Sequence, residues 1–344
     1  MKVKAYESPS WEHPAVKAWA SLGPTRLLPE RVGTIQRTVY RLDGAGPGGG
    51  AVIAKQCRRK TAECERRIYQ DFLMPSGISS VRYYGSVDDE DERFTWLFLE
   101  DAGDEEYSPS IPEHRRLGAR WLGAMHVAAA TIGARLSFPD RGPDIYLGHL
   151  REARAHISRN LSGRPLPRDH DAAALDTVVS RCDFLEARWR HVESFCRRMP
   201  LTLVHGDFAR QNVRVRRSPD GLVLLPFDWE TAGWGVPAAD LAGCATFAAE
   251  FPRLAHVLSG CADLGVYQSV IGNLWPELDI EDLQRLANLG SIFRVLASIQ
   301  WDTWMLDRPA PNDFMGEFID CIQMYVALLD AAIPAAELDR RAEH

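Results

Sequence analysis

The stretch LVHGDFARQN (203–212) sets an apolar pair directly before His205, Gly206 and Asp207, then reaches Asn212 five residues after that aspartate. The chain continues as VRVRRSPDGLVLLPFDWE (213–230). Val213 and Val215 alternate with polar residues, Ser-Pro-Asp-Gly occupies 218–221, and a second apolar run leads from Leu222 to Phe227. Alternation, turn and return run predict an antiparallel hairpin. Such strands bring the chain back to its starting end, so Asp228 is expected beside Asn212, with Asp207 close to both. An amide and a carboxylate suit Mg²⁺, a hard cation that takes oxygen ligands and keeps part of its water when phosphates supply the rest. Asp207 is then left to orient a substrate hydroxyl and accept its proton late in a transfer step.

The bulk properties fit that reading and exclude others. With 344 residues, the chain can form two domains or one two-lobed unit with an ample core. Its 46% hydrophobic and 25% charged content is that of a globular protein. A net charge of −7 argues against non-specific nucleic-acid binding, which needs a basic face, and is compatible with a cationic substrate. The basic runs Arg58-Arg59-Lys60 and Arg66-Arg67 sit beside glutamates and read as solvated helix faces. Seven cysteines without a Cys-x-x-Cys pair read as reduced thiols, and no metal-ligating set emerges from them. The start of the chain has no apolar secretion core and no stretch is apolar enough to span a membrane, so a cytoplasmic protein is expected.

The first hundred residues read as strand-rich. RTVYRL (37–42) and AVIAKQC (51–57) flank the flexible DGAGPGGG (43–50) and predict a hairpin. A helix is expected from Thr61 to Met74, with Glu65, Ile68, Tyr69 and Phe72 on one face. SVRYYGSV and FTWLFLE follow as strands across the acidic turn 88–92. Beyond residue 101, amphipathic stretches at 113–133, 171–198, 238–250, 281–306 and 314–332 predict a helical region, interrupted by 201–228. The expected division is 1–100 and 101–344, joined by LEDAGD (99–104).

The block from 203 to 242 resembles the signature of the aminoglycoside phosphotransferase and choline kinase superfamily. His205, Gly206, Asp207 and Asn212 match that family's His-Gly-Asp-x-x-x-x-Asn loop, and Asp228-Trp229-Glu230 matches the later metal aspartate with its aromatic and acidic followers. The resemblance implies an α+β, bilobal protein-kinase-like fold, with a small antiparallel-sheet lobe carrying one helix and a larger, mainly helical lobe. It implies Asp207 as the catalytic base, Asn212 and Asp228 as Mg²⁺ ligands, and His205, Gly206 and Asp240 as supports of the loop. Upstream, Lys55 stands on the strand after the glycine-rich turn and Glu65 on the inward face of the next helix, the arrangement a kinase-like fold needs to hold α- and β-phosphates. Glu63 falls off that face. RVGTIQRTVYRL (31–42), with the single Gly33, would be the phosphate-covering hairpin, and the backbone of Glu100, Asp101 and Ala102 would bond the purine of ATP, or of GTP. WLGAMH (121–126) resembles the helix beneath that hinge.

The implied reaction moves a γ-phosphoryl group to a hydroxyl of a small, amine-bearing molecule, an aminoglycoside-like or other antibiotic. Trp301 and Trp304, with Asp302 between them, resemble the aromatic helix that cages quaternary ammonium in choline kinases, although core packing gives the same spacing. Glu230, Asp302 and Glu317 are the carboxylates an aminoglycoside pocket could use. A choline- or ethanolamine-type or sugar kinase is the alternative. His-Gly-Asp in place of His-Arg-Asp, and no Ala-Pro-Glu after Asp228, argue against a protein kinase. Retention of Lys55, Asp207, Asn212 and Asp228 together argues against a silent nucleotide-binding module.

Overall fold

The computed structural model describes residues 3–8, 11–23, 26–132, 138–163, 171–219, 221–243, 262–303, 306 and 312–338. They fall into two compact units, residues 1–107 with 211–231, and residues 108–210 with 232–344.

The first unit is built, among the described residues, on a six-stranded sheet with every pairing antiparallel. Its strands are β1 (Ala5–Glu7), β2 (Arg31–Gln36), β3 (Val39–Asp43), β4 (Val52–Arg58), β5 (Tyr83–Asp88) and β6 (Phe94–Glu100), in the spatial order β1-β2-β3-β4-β6-β5. In register, Val39 and Leu97 flank Lys55. A short helix absent from the sequence reading, α1 (Pro14–Ser21), covers the sheet. Pro14 opens it and the Nδ1 of His13 accepts from the Ala15 N–H at 3.2 Å. Ala15, Val16, Ala18 and Trp19 pack with Leu42, Val52, Ala54, Trp96 and Phe98, each buried aliphatic or aromatic side chain stabilising the fold by about 1.5–3 kcal/mol.

The helix expected over 61–74 starts earlier, as α2 (Arg59–Arg67), runs into a π-helical segment (Ile68–Leu73) and ends in α3 (Met74–Ser76). Glu65, Ile68, Tyr69 and Phe72 are all buried and Glu63 is exposed. The expected hairpin forms from Val213–Ser218 and Gly221–Pro226. The sequence reading assigned it to the larger division, but it groups with the first unit. Backbone bonds from Tyr107 N–H to the Val213 carbonyl (3.3 Å) and from Val215 N–H to the Glu105 carbonyl (2.9 Å) tie it there.

The second unit is mostly helical: α4 (Pro112–Ile132), α5 (Pro143–Gly163), α6 (Asp171–Ala187), α7 (Trp189–Cys196), α8 (Leu264–Ile271), α9 (Ile280–Thr303) and α10 (Asn312–Ala335). A two-stranded ladder, Thr202–Val204 with Gly233–Gly235, lies among them. Every residue of α9 from Leu286 to Ile299 is buried, as expected of a helix enclosed on all sides. Gly290 permits this, because a Cβ there would lie 1.8 Å from the Ala238 carbonyl oxygen. The helix expected over 238–250 does not begin where the sequence suggested: residues 238–241 form turns, 242–243 are irregular, and 244–250 lie outside the described residues. No helix among the described residues is long and apolar enough to cross a membrane.

Candidate active site

In the first unit, three charges converge on β4. The Nζ of Lys55 lies 2.6 Å from Glu65 Oε1 on α2 and 2.5 Å from Asp228 Oδ1. Glu65 is wholly buried, and its Oε2 has no hydrogen-bond partner among the described residues. Burial pushes its carboxyl up to about 7, with Lys55 pulling the other way. For Lys55 burial works against the charge, but Glu65 and Asp228 outweigh it and hold the ammonium well above its ordinary value. Lys55 is therefore a permanent cation held between two carboxyl groups.

Asp228 follows the hairpin at φ 67°, a left-handed conformation uncommon for a residue with a side chain. Such strain persists where the surroundings fix the residue. Here the Lys55 pair fixes its side chain, and fully buried Trp229 meets Tyr69 edge-on at 6.5 Å. The backbone N–H of Phe227 donates to the carbonyl of Asn212 at 3.0 Å, so the two ends of the hairpin adjoin. Asn212 and Asp228 thus share one end of the hairpin, as the turn chemistry predicts.

Beside this end lies a pocket lined by Ile35, Ile53, Val81, Leu99, Phe227 and Arg214 and by the 100–103 backbone. The three expected hinge residues differ in what they can offer a ligand. The N–H of Glu100 already donates to the Arg82 carbonyl at 2.8 Å, and that of Asp101 to the Ala51 carbonyl at 3.4 Å. The Glu100 carboxylate is paired with Arg216 at 2.6 Å, and the Asp101 carbonyl accepts from the same arginine at 2.8 Å. For the backbone of Ala102 no such bond is seen among the described residues. Gly33 is packed against β1, since a Cβ there would meet Val3 at 2.7 Å.

In the second unit, the strand Thr202–Val204 ends in the loop His205–Asp207. Gly206 adopts φ 76°, which a residue with a Cβ resists. Fully buried Asp240 accepts from the N–H of His205 and of Gly206, each at 2.8 Å, and its Oδ2 lies 3.2 Å from His126 Nε2. The other nitrogen of His126 meets the Tyr267 hydroxyl at 2.8 Å. Burial would raise the Asp240 carboxyl, but the bond to His126, the charges of His126 and His205 and the backbone donor hold it below its usual range. Asp240 therefore spends its oxygens on the loop and on His126. His205 shapes the loop as well, its Nδ1 accepting from the Asp207 N–H at 3.4 Å. Asp207 forms an ion pair with Arg294 of α9.

The family model for the phosphotransferase enzyme family matches residues 28–265, more than half of the chain. The chain belongs to that family. The phosphotransferase is similar in fold to an aminoglycoside phosphotransferase from Alicyclobacillus acidocaldarius, at 14% identity and TM-score 0.60, covering 96% of this chain and 98% of that one. A choline kinase from Cryptosporidium parvum aligns at 10% identity and TM-score 0.55, covering 90% of each chain. A spectinomycin phosphotransferase crystallised with ADP and spectinomycin aligns at 13% identity and TM-score 0.57, over 88% of this chain and 93% of that one. No curated protein matches the chain in sequence. The fold is protein-kinase-like, and the protein is a phosphotransferase acting on hydroxyl groups.

The acceptor residues read from the phosphotransferase sequence are placed less tightly. Glu230 is exposed. Trp301 is 38% exposed, so core burial does not account for it, and the Arg294 guanidinium lies 5.9 Å from its ring. Asp302 accepts from the Tyr325 hydroxyl at 3.1 Å. Trp304 and the side chain of Glu317 lie outside the described residues. The sequence reading missed His126, Arg214, Arg216, Tyr267 and Arg294. Only Arg214 carried a signal, a charged residue between Val213 and Val215 on a strand that begins beside the expected metal ligand Asn212.

Proposed function

We propose that the protein transfers the γ-phosphoryl group of ATP to a hydroxyl of a small, amine-bearing molecule of the antibiotic type. The observation that carries this reading is the Lys55 ammonium held between Glu65 and Asp228, with Asn212 at the same end of the hairpin. A cation so fixed suits α- and β-phosphate oxygens. The apolar pocket, with Ala102 in its lining, suits the purine, ATP or GTP alike, since backbone atoms do the reading.

The residue types fit Mg²⁺: a carboxylate whose Oδ1 lies on Lys55, and an asparagine at the same end of the hairpin. Such an ion, when bound, offsets charge developing on the phosphates. Asp207 aligns the acceptor hydroxyl. As the acceptor oxygen bonds to the γ-phosphorus, the bond to the β–γ bridging oxygen breaks, ADP leaves, and the hydroxyl proton passes to Asp207. The net charge of −7 and the exposed Glu230 favour an acceptor bearing amines. Exposed Trp301 beside Asp302 favours a second reading, a choline- or ethanolamine-type amino-alcohol.

The test is ADP release over aminoglycosides, peptide antibiotics, choline, ethanolamine and simple sugars. Asp207→Ala and Asp228→Ala should each lower kcat by about 10²–10⁴-fold while the protein stays folded. Wild-type turnover in either variant would overturn the assignment, and choline as the best acceptor would select the second reading.

A further inference from the structure

Arg294 is a buried cation in the middle of α9, 3% exposed at its side chain. Two of its contacts lie in the loop that carries the proposed base. Its Nη1 donates to the Gly206 carbonyl at 2.8 Å, and its Nη2 pairs with Oδ1 of Asp207. The helix that presents it is anchored close by. Gly290 sits against the Ala238 carbonyl, and the Ser291 hydroxyl accepts from the Gly243 N–H at 3.0 Å. The segment between those two anchors contains Asp240, which grips the N–H groups of His205 and Gly206. The loop is thus clasped twice, by Asp240 on its N–H groups and by Arg294 on its carbonyl and its carboxylate.

We infer that Arg294 is a positioning residue for phosphoryl transfer: its contacts with the Asp207 carboxylate and the Gly206 carbonyl hold that carboxylate in the orientation in which it meets the acceptor hydroxyl. This rests on Asp207 being the base, as proposed above. A guanidinium suits the task because its fork spans two acceptors in one plane and it does not lose its proton at working pH. A lysine would keep the charge but could not satisfy both partners with fixed geometry. A carboxylate free to rotate would lose alignment with the hydroxyl, and misplacement of about 1 Å costs on the order of 10²-fold in rate. Arg294 donates no proton and touches no reacting atom, so its effect must pass through Asp207.

That requirement supplies the test. ADP release from MgATP is followed with the best acceptor from the panel above, or with water if none turns over, in Arg294→Ala, Arg294→Lys, Asp207→Ala and the Arg294→Ala/Asp207→Ala double variant. Arg294→Ala should lower kcat by about 10²-fold with KM for ATP changed by less than about twofold. Arg294→Lys should recover only part of that loss, and added guanidinium ion should partly rescue Arg294→Ala. In the Asp207→Ala background, Arg294→Ala should cost nothing further, since the two residues act as one unit. Wild-type kcat in Arg294→Ala, or an equal loss with and without Asp207, would overturn the inference. Should Arg294→Ala not fold, Arg294→Lys at wild-type kcat would overturn it, because charge without the fork would then suffice. If Asp207→Ala itself turns over normally, the functional reading fails instead, and the two failures are told apart.

Discussion

Glu65 and Asp240 are both carboxylates with no exposed surface, one in each unit, and their environments drive them in opposite directions. Glu65 has one cationic neighbour, shared with Asp228, and burial lifts its carboxyl to about 7. Asp240 has two backbone N–H donors and His126, and it sits below its usual range. Burial alone therefore does not decide the charge of an acid; the number of donors aimed at it does. The contrast separates two kinds of part. Asp240 is an anion in every working state, and the loop is built around it. Glu65 can lose its charge, and what it supports is the place of Lys55.

The sharpest way to break that contrast is to remove each carboxylate. Asp240→Ala strands two N–H groups and one nitrogen of His126 in the interior, and each unsatisfied buried polar group costs about 1–3 kcal/mol. We expect a Tm lower by about 10 °C or more and kcat reduced by at least about 10²-fold, because the loop carrying Asp207 loses one of its two clasps. Asp240→Asn should fall between, retaining one acceptor. Its acid limb should also change. A depressed carboxyl stabilises the fold above its unfolded pKa of about 4, and that contribution is lost as pH falls through the folded value. Asp240→Asn should therefore lose less stability than wild type between about pH 5 and pH 2. A Tm for Asp240→Ala within a degree or two of wild type would show that the loop does not depend on this anion.

Lys55→Met probes the other side, and there function should suffer more than stability. Without the ammonium, Glu65 can take up a proton, since burial already favours its neutral form, so the buried charge need not remain. We expect kcat/KM for ATP to fall by about 10²-fold or more with a Tm change well below that of Asp240→Ala. A stability loss as large as that of Asp240→Ala would make the Lys55–Glu65 pair a structural clamp instead.

How much of this could be read from letters follows from the same physics. Lys55 and Glu65 were legible because strand alternation and helical spacing each point a side chain inward, and the 2.6 Å pair lies where those two directions meet. The adjacency of Asn212 and Asp228 followed from a turn whose residues admit little else. The helix α5 was also legible and was missed: Tyr146, Leu150, Ala153 and Ile157 recur at helical spacing and are buried. Arg294 was not legible. An arginine in the buried stretch of a helix has no local reason to be there, and its two loop contacts lie 87 and 88 positions earlier in the chain. His126 and Tyr267 fail for the same reason, since each is justified only by a contact distant in sequence. Local periodicity fixes which way a residue faces, and only tertiary structure fixes what it meets.

The finest test of the contrast is Glu65→Gln. The amide keeps the size of the side chain and an oxygen for Lys55 but cannot ionise. Because the folded carboxyl of Glu65 lies above its unfolded value, the native state binds the proton more tightly, and wild-type stability should fall as pH rises from about 4 to about 7. Above that window the cost of the buried charge is complete, on the order of 3 kcal/mol. Glu65→Gln should remove this slope, so that its stability relative to wild type improves steadily with pH and levels off near neutrality. Turnover should drop only about threefold to tenfold, since Lys55 retains Asp228 and one hydrogen bond to the amide. Chemical denaturation at pH 4, 5.5, 7 and 8 reads the slope directly. Parallel wild-type and variant profiles across that range would mean that Glu65 titrates like an exposed acid, and the asymmetry between the two buried carboxylates would be gone.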